Sequence, residues 1–163
     1  MRIGLLSDTH SHIDERVMKH LKGCDEIWHA GDIGDLHVTD KLAKIAPLRA
    51  VHGNIDGADI RAEFPQDLVF SLLDQTIWLT HIGGRPPRFA PGVLIKLRDL
   101  RPSIFICGHS HILLARGCDS FGGLHLNPGA AGLYGQHAVR TLMRFTLTTS
   151  GVTDLEVVEI PRI

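Results

Sequence analysis

RIGLLSDTH, residues 2–10, is an apolar run of strand length that ends in a carboxylate and an imidazole two positions apart. By length and flanks, Arg2–Ser7 reads as a buried strand. The same figure recurs twice downstream: Glu26–Ala30 runs into Gly31-Asp32, and Leu48–His52 runs into Gly53-Asn54-Ile55-Asp56. The segments between them have helical spacing. Ile13, Val17, Met18 and Leu21 fall on one face, and Gly23 is placed to end that helix. Asp35 is placed to cap a second helix through Ala46, with Leu42, Ile45 and Ala46 inward and Pro47 as its stop. Such strand–helix repetition predicts parallel pairing with right-handed crossovers.

Further along, the pattern becomes strand-rich. Leu68–Leu73 and Thr76–Thr80 flank Asp74-Gln75 as a tight hairpin. A helix is expected from about Pro91 to Leu100, striped by Val93, Leu94, Leu97 and Leu100, and then a buried strand over Ser103–Cys107. Ile112–Arg116, Gly123–Leu126, Val139–Thr146 and Val152–Glu159 read as short strands joined by Gly-rich turns. No repeat or linker interrupts the chain, so one α/β domain over residues 1–163 is expected, with two sheets face to face and helices outside.

Composition narrows the function classes. The apolar share of 44% in 163 residues supports a packed core and excludes a disordered chain. A net charge of -1 argues against an extended nucleic-acid-binding face. No apolar run approaches the ~20 residues of a membrane span. The N-terminus has no apolar leader segment, and the cysteines (Cys24, Cys107 and Cys118) form neither a CxxC pair nor an even set, so a cytoplasmic protein without a disulfide framework is expected. Histidine is over-represented: 11 His stand against one Tyr. Imidazole is the commonest metal ligand, so where these residues fall matters.

They gather at strand ends. Asp8 and His10 follow the first strand, Asp32 the second and Asn54 the third; His81 follows Thr76–Thr80, and Gly108-His109-Ser110-His111 follows Ser103–Cys107. Ligands bind at the carboxyl ends of strands in open α/β sheets. Taken singly, each motif has an ordinary explanation: Asp-x-His as a helix cap, Gly-Asp or Gly-Asn-x-Asp as turn chemistry. Their conjunction in register with five strand ends is what carries the inference. Two carboxylates, one amide and four imidazoles, with no thiolate, are too many for one tetrahedral zinc and suit two ions. Two-ion centres promote in-line phosphoryl displacement and need a bridging carboxylate. Asp32, in the middle of the set, is the expected bridge.

On these residues, in this order and with Asn127-Pro128-Gly129 as a closing loop, the sequence resembles the calcineurin-like metallophosphoesterases. Within them it is similar to the small single-domain prokaryotic branch, the YfcE-type phosphodiesterases, over nearly the whole chain. The resemblance implies a four-layer α-β-β-α sandwich of two mixed sheets. It implies a first ion on Asp8, His10, Asp32 and His111 and a second on Asp32, Asn54, His81 and His109. Manganese is the first expectation, with nickel, iron or zinc as alternatives. A metal-bridging hydroxide would attack phosphorus, with Asp32, Asn54 and His81 as catalytic ligands. Larger relatives carry a proton-donating His where this chain has Ile55. General acid catalysis contributes about 10²–10⁴-fold, so its loss favours a phosphodiester or nucleotide substrate over phosphomonoesters and disfavours protein phosphatase activity. Ala130 stands where Ser is common in the family, with little effect expected. Arg85 and Arg88 are candidate phosphate contacts, although two Arg in a surface loop more often serve solubility. Asp56 is expected to hydrogen-bond a ligand imidazole, and His52 reads equally well as a supporting group beside the Gly-Asn turn or as a buried strand histidine. His12, His20, His37, His125 and His137 carry no assignment. A homo-oligomer is possible. The alternative is a non-catalytic interaction scaffold on the same fold, resembling the retromer scaffold subunit; the complete ligand set argues against it.

Overall fold

In β1 (Arg2–Leu6) side chains alternate between two apolar layers, as strand geometry requires. Ile3 and Leu5 point into a core shared with a second sheet, whereas Leu6 points into a core shared with helices. Gly4 lies on the helix side because α1 (Glu15–Leu21) packs there; a Cβ on Gly4 would come within 2.6 Å of Leu21 Cδ2. The computed structural model describes residues 1–162, and Ile163, the last residue of the expected domain, lies outside the described residues.

Two five-stranded mixed sheets result. The first adds β2 (Glu26–His29), β3 (Leu48–Ala50), β11 (Val139–Thr148) and β12 (Gly151–Pro161) in the order β12-β11-β1-β2-β3. β1, β2 and β3 run parallel, while β11 is antiparallel to both β1 and β12. The second contains β4 (Asp67–Leu72), β5 (Gln75–Thr80), β8 (Ile104–Ile106), β9 (Leu114–Cys118) and β10 (Gly123–Asn127) in the order β4-β5-β8-β10-β9. Its central strands β5, β8 and β10 are parallel, and its edges are antiparallel. A small hairpin of β6 (Gly84–Arg85) and β7 (Arg88–Phe89) forms a third pairing.

Three apolar layers hold the sandwich together. Between the sheets lie Ile3, Leu5, Trp28, Ile77, Leu79, Ile104, Ile106 and Phe145. Outside the first sheet, α1, α2 (Leu36–Ala43) and α3 (Ala58–Glu63) contribute Val17, Leu21, Val38, Leu42 and Ile60. Outside the second, α4 (Val93–Leu100) packs Val93 and Leu97 against Trp78, Phe105 and Cys107. Each such fully buried aliphatic side chain is worth about 1.5–3 kcal/mol. The four-layer α-β-β-α arrangement is therefore the observed fold, and no described helix is long and apolar enough to cross a membrane.

Several details differ from the sequence expectation. The β4–β5 turn is Leu73-Asp74, one residue earlier than read, because both residues adopt left-handed φ of 49° and 60° as a two-residue hairpin turn requires. Helix α3 lies in a stretch for which the sequence predicts no element; its six residues are too few to show periodicity. β3 stops at Ala50, two residues short of the expected end, so that Val51 and His52 already belong to the loop toward Asn54. The strand expected at Ile112–Arg116 is β9, shifted to begin at Leu114.

Candidate metal centre

The parallel strands of both sheets end at one crevice, and the loops beyond them converge there. The structure brings Asp8, His10 and His111 into one group and Asp32, His81 and His109 into another, the ligand-type atoms of each group lying within 4.8 Å of one another. Asp32 faces both groups. Its Oδ1 is 3.1 Å from His81 Nε2, and its Oδ2 is 3.6 Å from His10 Nε2. Asp8 Oδ1 points into the same space, 3.1 Å from His111 Nε2, 3.9 Å from His10 Nε2 and 4.0 Å from His81 Nε2. Asn54 lies beside His81, where both line a cavity at the crevice. All seven residues read from the sequence as ligands thus reach this crevice.

These side chains converge because their backbones do unusual things. Asp8, His10, Asp32, His109 and His111 all have φ between 46° and 67°, the left-handed region that non-glycine residues seldom occupy. Each such residue costs of order 1–3 kcal/mol, and strain of this kind gathers at functional sites. Two glycines permit the close approach. A Cβ on Gly53 would sit 2.0 Å from Asp32 Oδ1, and one on Gly108 would sit 2.1 Å from Ser7 Oγ.

The surroundings hold the donor set in place. Asp8 Oδ2 accepts hydrogen bonds from Ser7 Oγ (2.6 Å) and the His109 N–H (3.2 Å), leaving Oδ1 turned toward the histidines. His81 Nδ1 donates to the Ala30 carbonyl at 2.7 Å, which aims Nε2 at the carboxylates. Buried Asn127 donates to the Gly108 carbonyl and to Ser110 Oγ, bracing the loop that carries His109 and His111. Asp56 departs from its expected role. Among the described residues it makes no hydrogen bond to an imidazole; its carboxylate accepts the backbone N–H groups of Ile33, Gly34 and Gly53, tying the Asp32 loop to the Asn54 loop.

Sequence reasoning missed His29. It is wholly buried, and Nδ1 accepts the Gly31 N–H, so Nε2 carries the proton and donates to Thr9 Oγ1, which donates to the Ile33 carbonyl. Burial holds this imidazole down at about 4, hence neutral, so the chain of bonds under the Asp8 and Asp32 loops is permanent at neutral pH. Its only sequence signal was its place two residues before Gly31. His125 also gains a partner: its Nε2 lies 3.3 Å from Cys107 Sγ, and its ring is stacked on Phe89 and tilted against Phe105. Burial pushes the Cys107 thiol up to about 12, so this pair is a packed core contact without nucleophilic character.

Two ions fit the donor set. Asp8 Oδ1 and His81 Nε2 are buried and lie 3.1 Å from His111 Nε2 and Asp32 Oδ1, respectively, yet neither makes a well-directed hydrogen bond among the described residues, so both are left aimed at the space between the two groups. The Asp8 carboxylate lifts His111 above the ordinary imidazole range despite burial. Burial disfavours a charged His81, but neighbouring Asp32 and Asp8 outweigh it and raise that group too. Burial likewise opposes ionisation of Asp32, and His81 overcomes it. The site therefore draws positive charge toward two buried carboxylates, as a cation-binding centre of N/O donors does.

Arg85 and Arg88 are not brought into this cluster. They lie exposed on the β6–β7 hairpin, in a separate concavity with Leu114 and Arg116.

Residues 1–150 match the family described as the calcineurin-like phosphoesterase superfamily domain. A protein of Methanothermobacter thermautotrophicus described as a probable metallophosphoesterase is 32% identical over 139 residues, covering 80% of this chain and 77% of the relative. Among solved structures, Vps29 of Entamoeba histolytica complexed with zinc superposes with a TM-score of 0.76 at 19% identity, covering 100% of both chains. A novel archaeal phosphodiesterase superposes with the same TM-score of 0.76 at 22% identity, covering 98% of this chain and 100% of the other. At these identities the two structures speak for the fold alone.

Proposed function

Because the chain belongs to the calcineurin-like phosphoesterase superfamily, we propose that it hydrolyses phosphodiesters at a centre of two divalent ions. The observation that carries this reading is Asp32, whose two carboxylate oxygens face histidines of the two separate groups. In the reading, Asp8, His10, Asp32 and His111 hold one ion, and Asp32, Asn54, His81 and His109 hold the other. Bound together, two such ions make water a strong nucleophile near neutral pH and neutralise the developing phosphoryl charge. The chain itself supplies orientation. Asp32 sets the separation of the two half-sites, the Ala30 carbonyl fixes the His81 ring, and Asp56 locks the Asp32 and Asn54 loops together. No side chain at position 55 can donate a proton, since Ile55 occupies it and is nearly half exposed at 46%. The missing donor at this position favours leaving groups that depart without a proton, and this supports diesters with good leaving groups. Manganese is the first candidate for the ions.

The test is hydrolysis of bis-p-nitrophenyl phosphate and p-nitrophenyl phosphate by metal-stripped protein, with and without Mn²⁺. Metal-dependent cleavage of the diester, lost in Asp32→Asn and Asp32→Ala, is the expected result. Asp32→Asn keeps an oxygen for the Ile55 N–H, so its loss of turnover is not a folding effect. No turnover with Mn²⁺, Ni²⁺ or Zn²⁺, despite two bound ions, overturns the enzyme reading in favour of an interaction scaffold.

A further inference from the structure

Beside the second half-site, His52, Arg61, Gln66 and Ile82 join Asn54 and His81 around a cavity of about 180 Å³. A pocket for a drug-sized ligand starts at about 300 Å³, so this one accommodates a single substituent. Its polar lining comprises the Arg61 guanidinium, the amides of Asn54 and Gln66, two imidazoles and the Thr80 hydroxyl, with no carboxylate among the lining residues. Arg61, on α3, is braced along one edge only: Nε donates to the Asp56 carbonyl at 2.6 Å, and Nη2 donates to the carbonyls of Gly53 and Asn54 at 3.1 and 3.3 Å. All three acceptors are neutral, and among the described residues no carboxylate pairs with this guanidinium. The nearby Asp56 carboxylate is occupied by three backbone N–H groups. A guanidinium fixed in this way keeps its charge and its Nη1 donors for something outside the protein, and planar anions match that fork. Gln66 adds an amide, and Ile82 provides an apolar wall for a short carbon stem.

We propose that this cavity is the subsite for the uncleaved arm of the phosphodiester, and that it takes an anionic arm through Arg61 and Gln66. The inference rests on the phosphodiesterase reading above and extends it to a substrate class: diesters that carry a second negative charge a few bonds from phosphorus. It also gives α3 a role, since this helix presents Arg61 to the edge of the centre.

The test uses two synthetic diesters with the same p-nitrophenyl leaving group, one with a 2-carboxyethyl arm and one with the isosteric, neutral 2-carbamoylethyl arm, on the Mn²⁺-loaded protein. Wild type is expected to favour the carboxyethyl diester by about tenfold or more in kcat/KM, the size of one charge-assisted contact, with the difference lying in KM. Because Arg61 also braces the Asn54 loop, the decisive variant is Gln66→Glu, at an exposed position. It is expected to erase or reverse the preference, and Arg61→Gln to remove it. Equal kcat/KM for the two diesters in wild type overturns the subsite while the enzyme reading stands. An equal loss on both diesters in the variants also overturns it, since that is the behaviour of groups contacting the scissile phosphate. Turnover of neither diester by protein that cleaves bis-p-nitrophenyl phosphate overturns the subsite alone; failure on bis-p-nitrophenyl phosphate with all three metals overturns the enzyme reading and the subsite with it.

Discussion

Three backbone N–H groups, those of Ile33, Gly34 and Gly53, converge on the Asp56 carboxylate, which is itself buried. Asp56→Ala leaves those donors unpaired in a water-poor loop. Its expected cost is about 3 kcal/mol of stability, from unpaired donors worth about 1–3 kcal/mol each, partly relieved by entering water. Metal affinity is expected to fall by about 10–100-fold, the usual effect of removing a group that orients ligands. Denaturant unfolding and metal titration check the two halves separately. Left-handed backbone at the ligands themselves leads to a different expectation. His109 is exposed and has φ 67°, so His109→Gly relieves strain of about 1–2 kcal/mol per residue. Glycine's extra freedom in the unfolded chain returns about half of that. The metal-free variant should melt higher than the metal-free parent, while binding one ion in place of two by elemental analysis. A metal-free variant that melts lower would show that the left-handed turn carries no strain.

At the scale of elements, α1 is fastened to β11 by one ion pair. Asp14 caps α1 by accepting the Val17 N–H at 3.1 Å and also accepts both contacts of Arg140 Nη2, at 3.0 and 3.1 Å. The Arg140 side chain is fully buried, and its Nε and Nη1 have no partner among the described residues. Burial works against the Asp14 charge, yet Arg140, the Val17 N–H and His12 together hold its carboxyl at about 2. Removing the carboxylate strands a buried cation, so Asp14→Ala is expected to cost about 3–5 kcal/mol. The reverse variant, Arg140→Met, is expected to cost less, because it removes the buried charge along with the pair. Chemical unfolding at neutral pH ranks the two, and the opposite order would mean that the pair holds α1 only as a cap.

For the whole molecule, acid is the expected weakness. Burial depresses His125 from 6.5 to about 4, with Arg116 adding to the effect, and burial depresses His29 to about 4 as well. Both folded-state values lie below the unfolded one. Between pH 6.5 and about 4 the unfolded chain therefore takes up protons that the native state refuses, and stability falls as pH falls. Each group contributes a slope of up to about 1.4 kcal/mol per pH unit in that window. His125→Phe keeps the stack with Phe89 and Phe105 and removes one titrating group, so its stability should depend less steeply on pH by about that amount. Urea midpoints at pH 7, 6 and 5 measure the difference, and parallel curves would show that His125 does not titrate as argued.

The features legible along the chain follow from short-range physics. Apolar runs ending in Asp8, Asp32, Asn54, His81 and His109 are legible because strand length, helical spacing and Gly turns are local properties. The match of residues 1–150 to a known family agrees with that reading. The remaining features depend on which loops meet in the folded chain. The two faces of Asp32, the backbone role of Asp56, the neutral His29 link and the placing of Arg61 rather than Arg85 beside the crevice all arise from contacts between distant segments. Local sequence has no term for such contacts. Helix α3 lies between the two cases: at six residues it is too short to announce itself, and its place is set by Ile60 packing into the helix-side core.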